Sequence, residues 1–296
     1  MCNLNILIKK KSKNEEELTN VGVFLMETTL NSYSFNKDGD GFYSDGFLIK
    51  KFEKLNLLKY LDKIINSKFV ITHQRIATSG FEKEFLQPFE NKDFVIVHNG
   101  VINEFLEAEG SDTFGFFNEF IREFKKIKGK REKKIIKAVK NLLDNLNYGS
   151  YSIALFDKKT ENLYYFKNNN TDIYFYKNHK FLYITTLKEN KYLLSLLDVE
   201  FKEESIKDFN IYRINVGKTI NIKKVGKIKE VESNYFYNPL PYPSYNESPK
   251  DLVLCNDLGS CMKCGQKTYF LNPNTLERIC GECFEKLNNK SCWEYV

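Results

Sequence analysis

The sequence predicts an α+β protein with a small cysteine-bearing tail, on three observations. Apolar runs of strand length recur from residue 3 to residue 224. Helical spacing appears at 15–30 and 114–146, and two C-x-x-C pairs lie near the end of the chain. Of the 296 residues, 42% are hydrophobic and 15% aromatic. That suffices for a large core, one main domain and an appendage.

In chain order, 3–8 alternates enough to be a strand, and it starts directly after Cys2. Segment 15–30 is a helix with Leu18, Val21, Leu25 and Met26 on one face. The Asp-Gly repeats of 36–41 mark a turn. A strand at 46–50 and a helix at 55–66 follow, the helix carrying Leu57, Leu58, Leu61, Ile64 and Ile65. Segments 68–72 and 94–98 are continuous apolar runs, as buried strands are. Ser111, Asp112 and Thr113 suit a helix start, because their side chains can cap free N–H groups. Helices are expected at 114–126 and 132–146. Strands follow at 150–156, 163–167, 173–176 and 181–186, then a helix at 187–197 and strands at 209–216 and 219–224. Four of the six prolines (Pro239, Pro241, Pro243, Pro249) sit among Asn, Ser and Tyr, which reads as a semi-rigid linker. The expected organisation is a domain over 2–231, a Pro/Tyr-rich linker over 232–254 and a tail module over 255–296.

The net charge of +6 is spread along the chain. Its densest runs, Lys9 to Lys11 and Lys125 to Lys134, read as solvated faces. The first apolar stretch is short and its lysines follow it, unlike a secretory signal. No apolar run approaches the ~18 residues of a membrane span. Seven cysteines, four of them in C-x-x-C pairs, favour free or metal-bound thiols in a reducing compartment. The expectation is a cytoplasmic protein without membrane contact.

Once Met1 is removed, Cys2 carries both a thiol nucleophile and a free α-amine that can serve as its base. Such an amine titrates near pH ~8. Three later segments matter beside it: THQRIATSG (72–80), VHNGVINE (97–104) and SDTF (111–114). Taken singly, Asn99-Gly100 is a tight turn, Arg75 a salt-bridge residue and Asp112 a helix cap.

In order and spacing, Cys2 and these segments resemble the class II glutamine amidotransferases, a branch of the N-terminal-nucleophile hydrolases. Asn36-Lys-Asp-Gly-Asp-Gly41 and Gln87-Pro88-Phe89 resemble two further stretches of that family. The resemblance runs from Cys2 to about residue 225 and implies a four-layer αββα sandwich. It implies hydrolysis of L-glutamine to glutamate and ammonia through a Cys2 thioester, with the α-amine moving the protons. Asn99 and Gly100 would form the oxyanion hole, where one donor is typically worth ~2.7–4 kcal/mol. Arg75 would grip the α-carboxylate with its planar fork, supported by Thr78, and Asp112 would receive the α-ammonium group. His73 and His98 would be structural. Ile76 and Ser79 depart from the aromatic residue and histidine that many synthetase-linked members carry. The ammonia acceptor is expected on a separate synthetase or amidating partner. Two alternatives stand beside this reading. One is an N-terminal-nucleophile amidase acting on another γ-glutamyl or amide substrate. The other is a catalytically inert zinc-ribbon module that binds nucleic acid.

In the tail, Cys261-x2-Cys264 and Cys280-x2-Cys283 are separated by 15 residues, a zinc-ribbon spacing. Four thiolates close a tetrahedral structural Zn²⁺ site. Gly265 and Gly281 follow the pairs as knuckle turns require, and Cys255 or Cys292 could substitute for a ligand. A tail this short would need metal to fold. It would dock to the ammonia-using partner or to nucleic acid.

Overall fold

The computed structural model describes residues 2–10, 14–33, 36, 38–76, 82–105, 110–146, 149–216, 220–230, 253–260 and 267–271. The chain divides into two compact units, Met1–Ser233 and Asn234–Val296.

In the first unit, one sheet contains β1 (Asn3–Lys9), β2 (Asp40–Ser44), β3 (Phe47–Lys51), β4 (Phe69–Gln74), β9 (Tyr174–Lys177), β10 (Phe181–Thr185) and β11 (Lys202–Glu203). The other contains β5 (Phe89–Glu90), β6 (Phe94–Val101), β7 (Ser150–Asp157), β8 (Asn162–Lys167), β12 (Asn210–Asn215) and β13 (Ile222–Lys227). Their strand orders are β11-β9-β10-β1-β4-β2-β3 and β13-β12-β8-β7-β6-β5, with antiparallel neighbours. The helices are α1 (Glu15–Tyr33), α2 (Leu61–Asn66), α3 (Asp112–Lys126) and α4 (Arg131–Leu143).

The period of two along each strand assigns its side chains to layers. Leu4, Ile6 and Ile8 of β1 meet Val95 and Val97 of β6 in the core between the sheets. Leu7, on the other face of β1, joins Val21, Phe24 and Leu25 of α1. On β6, Phe94 and Ile96 instead face Phe116 and Phe120 of α3 and Ile135 and Val139 of α4. The order is therefore helix, sheet, sheet, helix. Central strands are buried on both faces, which is why they read as continuous apolar runs. Ser111 caps α3, accepting a hydrogen bond from the Phe114 N–H at 3.5 Å.

The structure corrects four readings. The expected helix at 55–66 is a 3₁₀ turn, Leu57–Tyr60, followed by the short α2. Asn56 begins the turn by accepting the Leu58 N–H at 3.1 Å, since an asparagine side chain offers the backbone such a local cap in place of a longer helix. The segment at 187–197 is also 3₁₀, Lys188–Leu197. Strand β2 lies hidden in Asp40–Ser44, whose Asp-Gly start reads as a turn until β3 and β4 pair with it. Lys9 is buried, not solvated: its ammonium donates to the Ile65 carbonyl at 2.6 Å. Lys125, Lys126, Lys128, Lys130 and Lys133 are exposed as expected.

In the second unit, β14 (Val253–Ser260) pairs antiparallel with β15 (Lys267–Leu271). Cys255 lies in β14. Cys261, Cys264, Cys280, Cys283 and Cys292 fall outside the described residues. No described helix is long and apolar enough to cross a membrane.

Candidate active site

The strand alternation that builds the core also assembles the site. Continuing from Leu4, Cys2 falls on the sheet-to-sheet face of β1. Asn3 pairs with Gln74 and Leu4 with His73, so the next step of the ladder brings Cys2 to Arg75. On β6, Asn99 continues the face of Val95 and Val97, and β1 lies against β6 across the core.

The Cys2 sulfur accepts the Ile76 N–H at 3.4 Å and lies 3.7 Å from the Ile76 carbonyl. This contact uses only the backbone of residue 76. Burial pushes the thiol pKa up, while the Ile76 amide and the Arg75 charge pull it down and Asp112 raises it. Thr186 holds the start of β1. Its hydroxyl donates to the Cys2 carbonyl at 2.9 Å and accepts the Leu4 N–H at 2.9 Å.

Arg75 is 6% exposed. Its backbone N–H donates to the Gly39 carbonyl at 2.8 Å, and its carbonyl accepts the Asp38 N–H at 3.2 Å. Burial lowers its pKa, while Cys2, Asp112, Asp38 and Glu82 support its charge. Asp38 and Gly39 of the Gly-rich 36–41 stretch thus hold the arginine's backbone. Gly41 also accounts for the position of the Gln87-Pro88-Phe89 stretch. A Cβ there would lie 1.6 Å from the Gln87 carbonyl oxygen, so the Gln87-Pro88 stretch crosses β2 only because residue 41 is glycine.

Asn99 and Gly100 do not form a tight turn. They lie within β6, opposite Ser152 and Tyr151. Gly100 has φ +132, and a Cβ there would lie 2.1 Å from the Ser150 carbonyl oxygen. A strand residue with that φ turns its peptide unit out of the regular pattern, which only glycine does at low cost.

Behind this segment, His98 points to the opposite face, toward α3. Its Nδ1 is 3.0 Å from the Thr113 hydroxyl and its Nε2 is 3.4 Å from the Ser150 carbonyl. The Thr113 hydroxyl also reaches the Asp112 carboxylate, donating to Oδ1 at 3.2 Å. Gln87 completes the cluster: its Oε1 accepts the His98 N–H at 2.6 Å and its Nε2 donates to Thr113 at 3.1 Å. Asp112 accepts from the Ile102 N–H at 2.9 Å and the Thr113 N–H at 2.6 Å. His73 is fully buried, and burial with the nearby Arg75 charge holds its pKa down to about 3. Both histidines are neutral at neutral pH, since burial also lowers His98.

Cys2, Arg75 and Asp112 lie within electrostatic reach of one another, with Asn99 and Gly100 on the facing strand. Thr78 falls outside the described residues. Gln87 entered the reading only as part of a motif, Thr113 as a helix cap and Thr186 not at all, because their partners are distant in sequence. Among the described residues, no group of three or more His, Cys, Asp or Glu could hold a metal ion.

No protein-family profile matches the chain, and no curated protein sequence matches it. Its fold is similar to that of the glutamine phosphoribosylpyrophosphate amidotransferase from B. subtilis, complexed with ADP and GMP. The TM-score is 0.51 and the identity 15%, over 75% of this chain and 49% of that one. A structure of an allosteric regulatory enzyme of purine biosynthesis is similar to the same degree, with TM-score 0.51 and 15% identity over 76% of this chain and 49% of that one. The match spans about half the length of each of those proteins. At this identity the shared feature is the fold alone.

Proposed function

We propose that the chain is a glutamine amidotransferase of the class II, N-terminal-nucleophile type, which hydrolyses L-glutamine to glutamate and ammonia. The observation that carries this reading is the thiol of Cys2 within reach of both a buried arginine and a carboxylate. A free α-amino acid carries the complementary pair of charges, so Arg75 and Asp112 suit its carboxylate and ammonium groups. Thr78 is proposed to support the carboxylate end.

With Met1 removed, the Cys2 amine takes the thiol proton and the sulfur attacks the side-chain amide carbon. The oxyanion is held by the Asn99 side-chain amide and the Gly100 N–H. The amine returns the proton to the leaving nitrogen, ammonia departs and a thioester remains. Water, deprotonated by the same amine, attacks the thioester, and glutamate leaves as the thiol re-forms.

The ammonia acceptor is proposed to lie on a separate partner. In the tail, Cys261, Cys264, Cys280 and Cys283 would hold a structural Zn²⁺, because four thiolates at this spacing satisfy a tetrahedral ion. That module would serve in docking to the partner or to nucleic acid.

The decisive experiment is a glutaminase assay on protein whose N-terminus is fixed by intact mass. Wild type starting at Cys2 is expected to release glutamate, and Cys2→Ala to release none. Activity surviving in Cys2→Ala, or active protein retaining Met1, would overturn the mechanism. Hydrolysis of α-N-acylated glutamine as fast as of glutamine would favour the broader amidase reading. Metal analysis after expression in zinc-replete medium tests the tail, with one zinc per chain expected.

A further inference from the structure

Strands β3 and β5 end their respective sheets, and residues of both line one groove. Together with α3 they give it a volume of about 650 Å³, and it shares no residue with the Cys2 site. This is within the ~300–1,000 Å³ range of small-molecule sites. Its apolar part is aromatic: Phe89 and Phe114 have ring centroids 5.4 Å apart, and Phe117 is buried beside them.

The charges around it do not cancel. Arg122 is paired with Glu119, and Glu90 accepts from Lys158 at 2.9 Å. Lys50 on β3 and Lys125 on α3 form no ion pair among the described residues, and Glu84 is the remaining carboxylate in the lining. Lys50 is half-buried, with its ammonium 4.4 Å from the centroid of the Phe89 ring. Its one hydrogen bond, to the Glu84 carbonyl, is long at 3.4 Å. Burial pushes its pKa down to about 8, against the opposing pull of the Glu90 and Glu84 charges. Among the described residues, the three donors of this partly desolvated cation have one weak hydrogen bond and a ring face, with Glu90 and Glu84 acting on it only through their charge.

We propose that this groove binds a small aromatic organic anion, its ring against Phe89, Phe114 and Phe117 and its carboxylate or phosphate held by Lys50 and Lys125. The competing account is that Lys50 only guards an edge strand against pairing with another chain. That account requires no ligand.

Calorimetric titration of the full chain with 1-naphthyl phosphate, 1-naphthoate, 1-naphthol and inorganic phosphate separates the contributions. One saturable site is expected for at least one naphthyl anion, about tenfold or more tighter than for naphthol or phosphate alone, as a charge-assisted contact supplies. Comparing naphthoate with naphthyl phosphate tells which head group the site prefers. Lys50→Gln and Lys125→Gln should each weaken binding severalfold while glutamine hydrolysis is unchanged. An independent readout is amine acylation near pH 8. Lys50 should react faster than the exposed lysines, and the bound anion should protect it. Absence of saturable binding by both anions, equal binding of naphthol, or full affinity in both lysine variants would overturn the proposal. None of these outcomes bears on Cys2 chemistry.

Discussion

The two sheets supply opposite halves of the candidate site and secure them by different means. Behind Cys2 and Arg75, the helix-facing side of the first sheet is polar. The Asn5 side-chain oxygen accepts from Tyr183 at 2.5 Å, Thr185 at 2.9 Å and Asn190 at 3.0 Å, and its Nδ2 donates to Thr72 at 3.2 Å. Asn3 donates to Gln74 at 2.7 Å and to the Thr28 carbonyl at 3.3 Å. Behind Asn99 and Gly100, the helix-facing side of the second sheet is mainly aromatic, with polar contacts gathered around His98, Thr113 and Gln87. A one-residue slip of β1 would drive Asn3 and Asn5 into the apolar core and carry Cys2 off its face. The amide ladder therefore fixes the register of Cys2. The Asn99 and Gly100 side relies on packing and on a backbone conformation that glycine permits.

This contrast can be broken most sharply at the second sheet. Gly100→Ala and Asn99→Ala should each reduce glutamine turnover by about 10²–10³-fold, as for a lost oxyanion donor. Asn99→Ala should keep the thermal midpoint near wild type, whereas Gly100→Ala should lower it, because its Cβ collides with the Ser150 carbonyl. Equal midpoints would mean that the backbone at residue 100 relaxes freely.

Acid should weaken the fold through the buried histidines. His73 titrates at about 3 in the folded chain against 6.5 when unfolded, so the unfolded state binds more protons over that window. Its contribution is complete above pH 6.5 and is lost as pH falls toward 3, and His98 acts with the same sign. Asp40 opposes them: burial raises it from 3.8 to about 6, so its contribution is full below 3.8 and disappears as pH rises through 6. The His73 shift is larger than that of Asp40, and stability should fall by a few kcal/mol on acidification. Urea unfolding of wild type and His73→Leu near pH 7 and near pH 4 checks this. An unchanged pH slope in the variant would show that His73 is not the source.

Asn5→Leu tests the amide ladder. It leaves several buried groups without partners, each worth about 1–3 kcal/mol. If its stability matched wild type, the polar seam would not be holding β1. The smallest effect is expected at Gln87→Ala, which strands the His98 N–H and loosens Thr113 beside Asp112, costing about 1–3 kcal/mol. Through Asp112 it should raise KM for glutamine more than it lowers kcat. A pure kcat effect would place Gln87 on the oxyanion side instead.

Particular residues show how far the sequence reaches. Most strands of the first unit and its main helices were legible because apolar spacing is a local property, and burial on both faces lengthened that signal in β4 and β6. Strand β2 and the 3₁₀ segments were not legible, since Asp-Gly and Asn-rich stretches reveal their pairing only when neighbours arrive. The motifs placed Cys2, Arg75, Asn99, Gly100 and Asp112 among the candidates, yet nothing local tells that Gly100 sits in a strand or that Ile76 serves the thiol through its backbone.

By itself, the sequence determined the mixed α and β composition, the candidate chemistry and the paired C-x-x-C spacing of the tail, because each depends on residue type and short-range periodicity. Only the tertiary structure decided which ends of β1, β4 and β6 converge, and that Gly41 makes room for Gln87. It also decided that an amide ladder sets the register of Cys2. Those outcomes depend on strand register and on contacts between residues as far apart as Asn5 and Asn190, which no local pattern encodes.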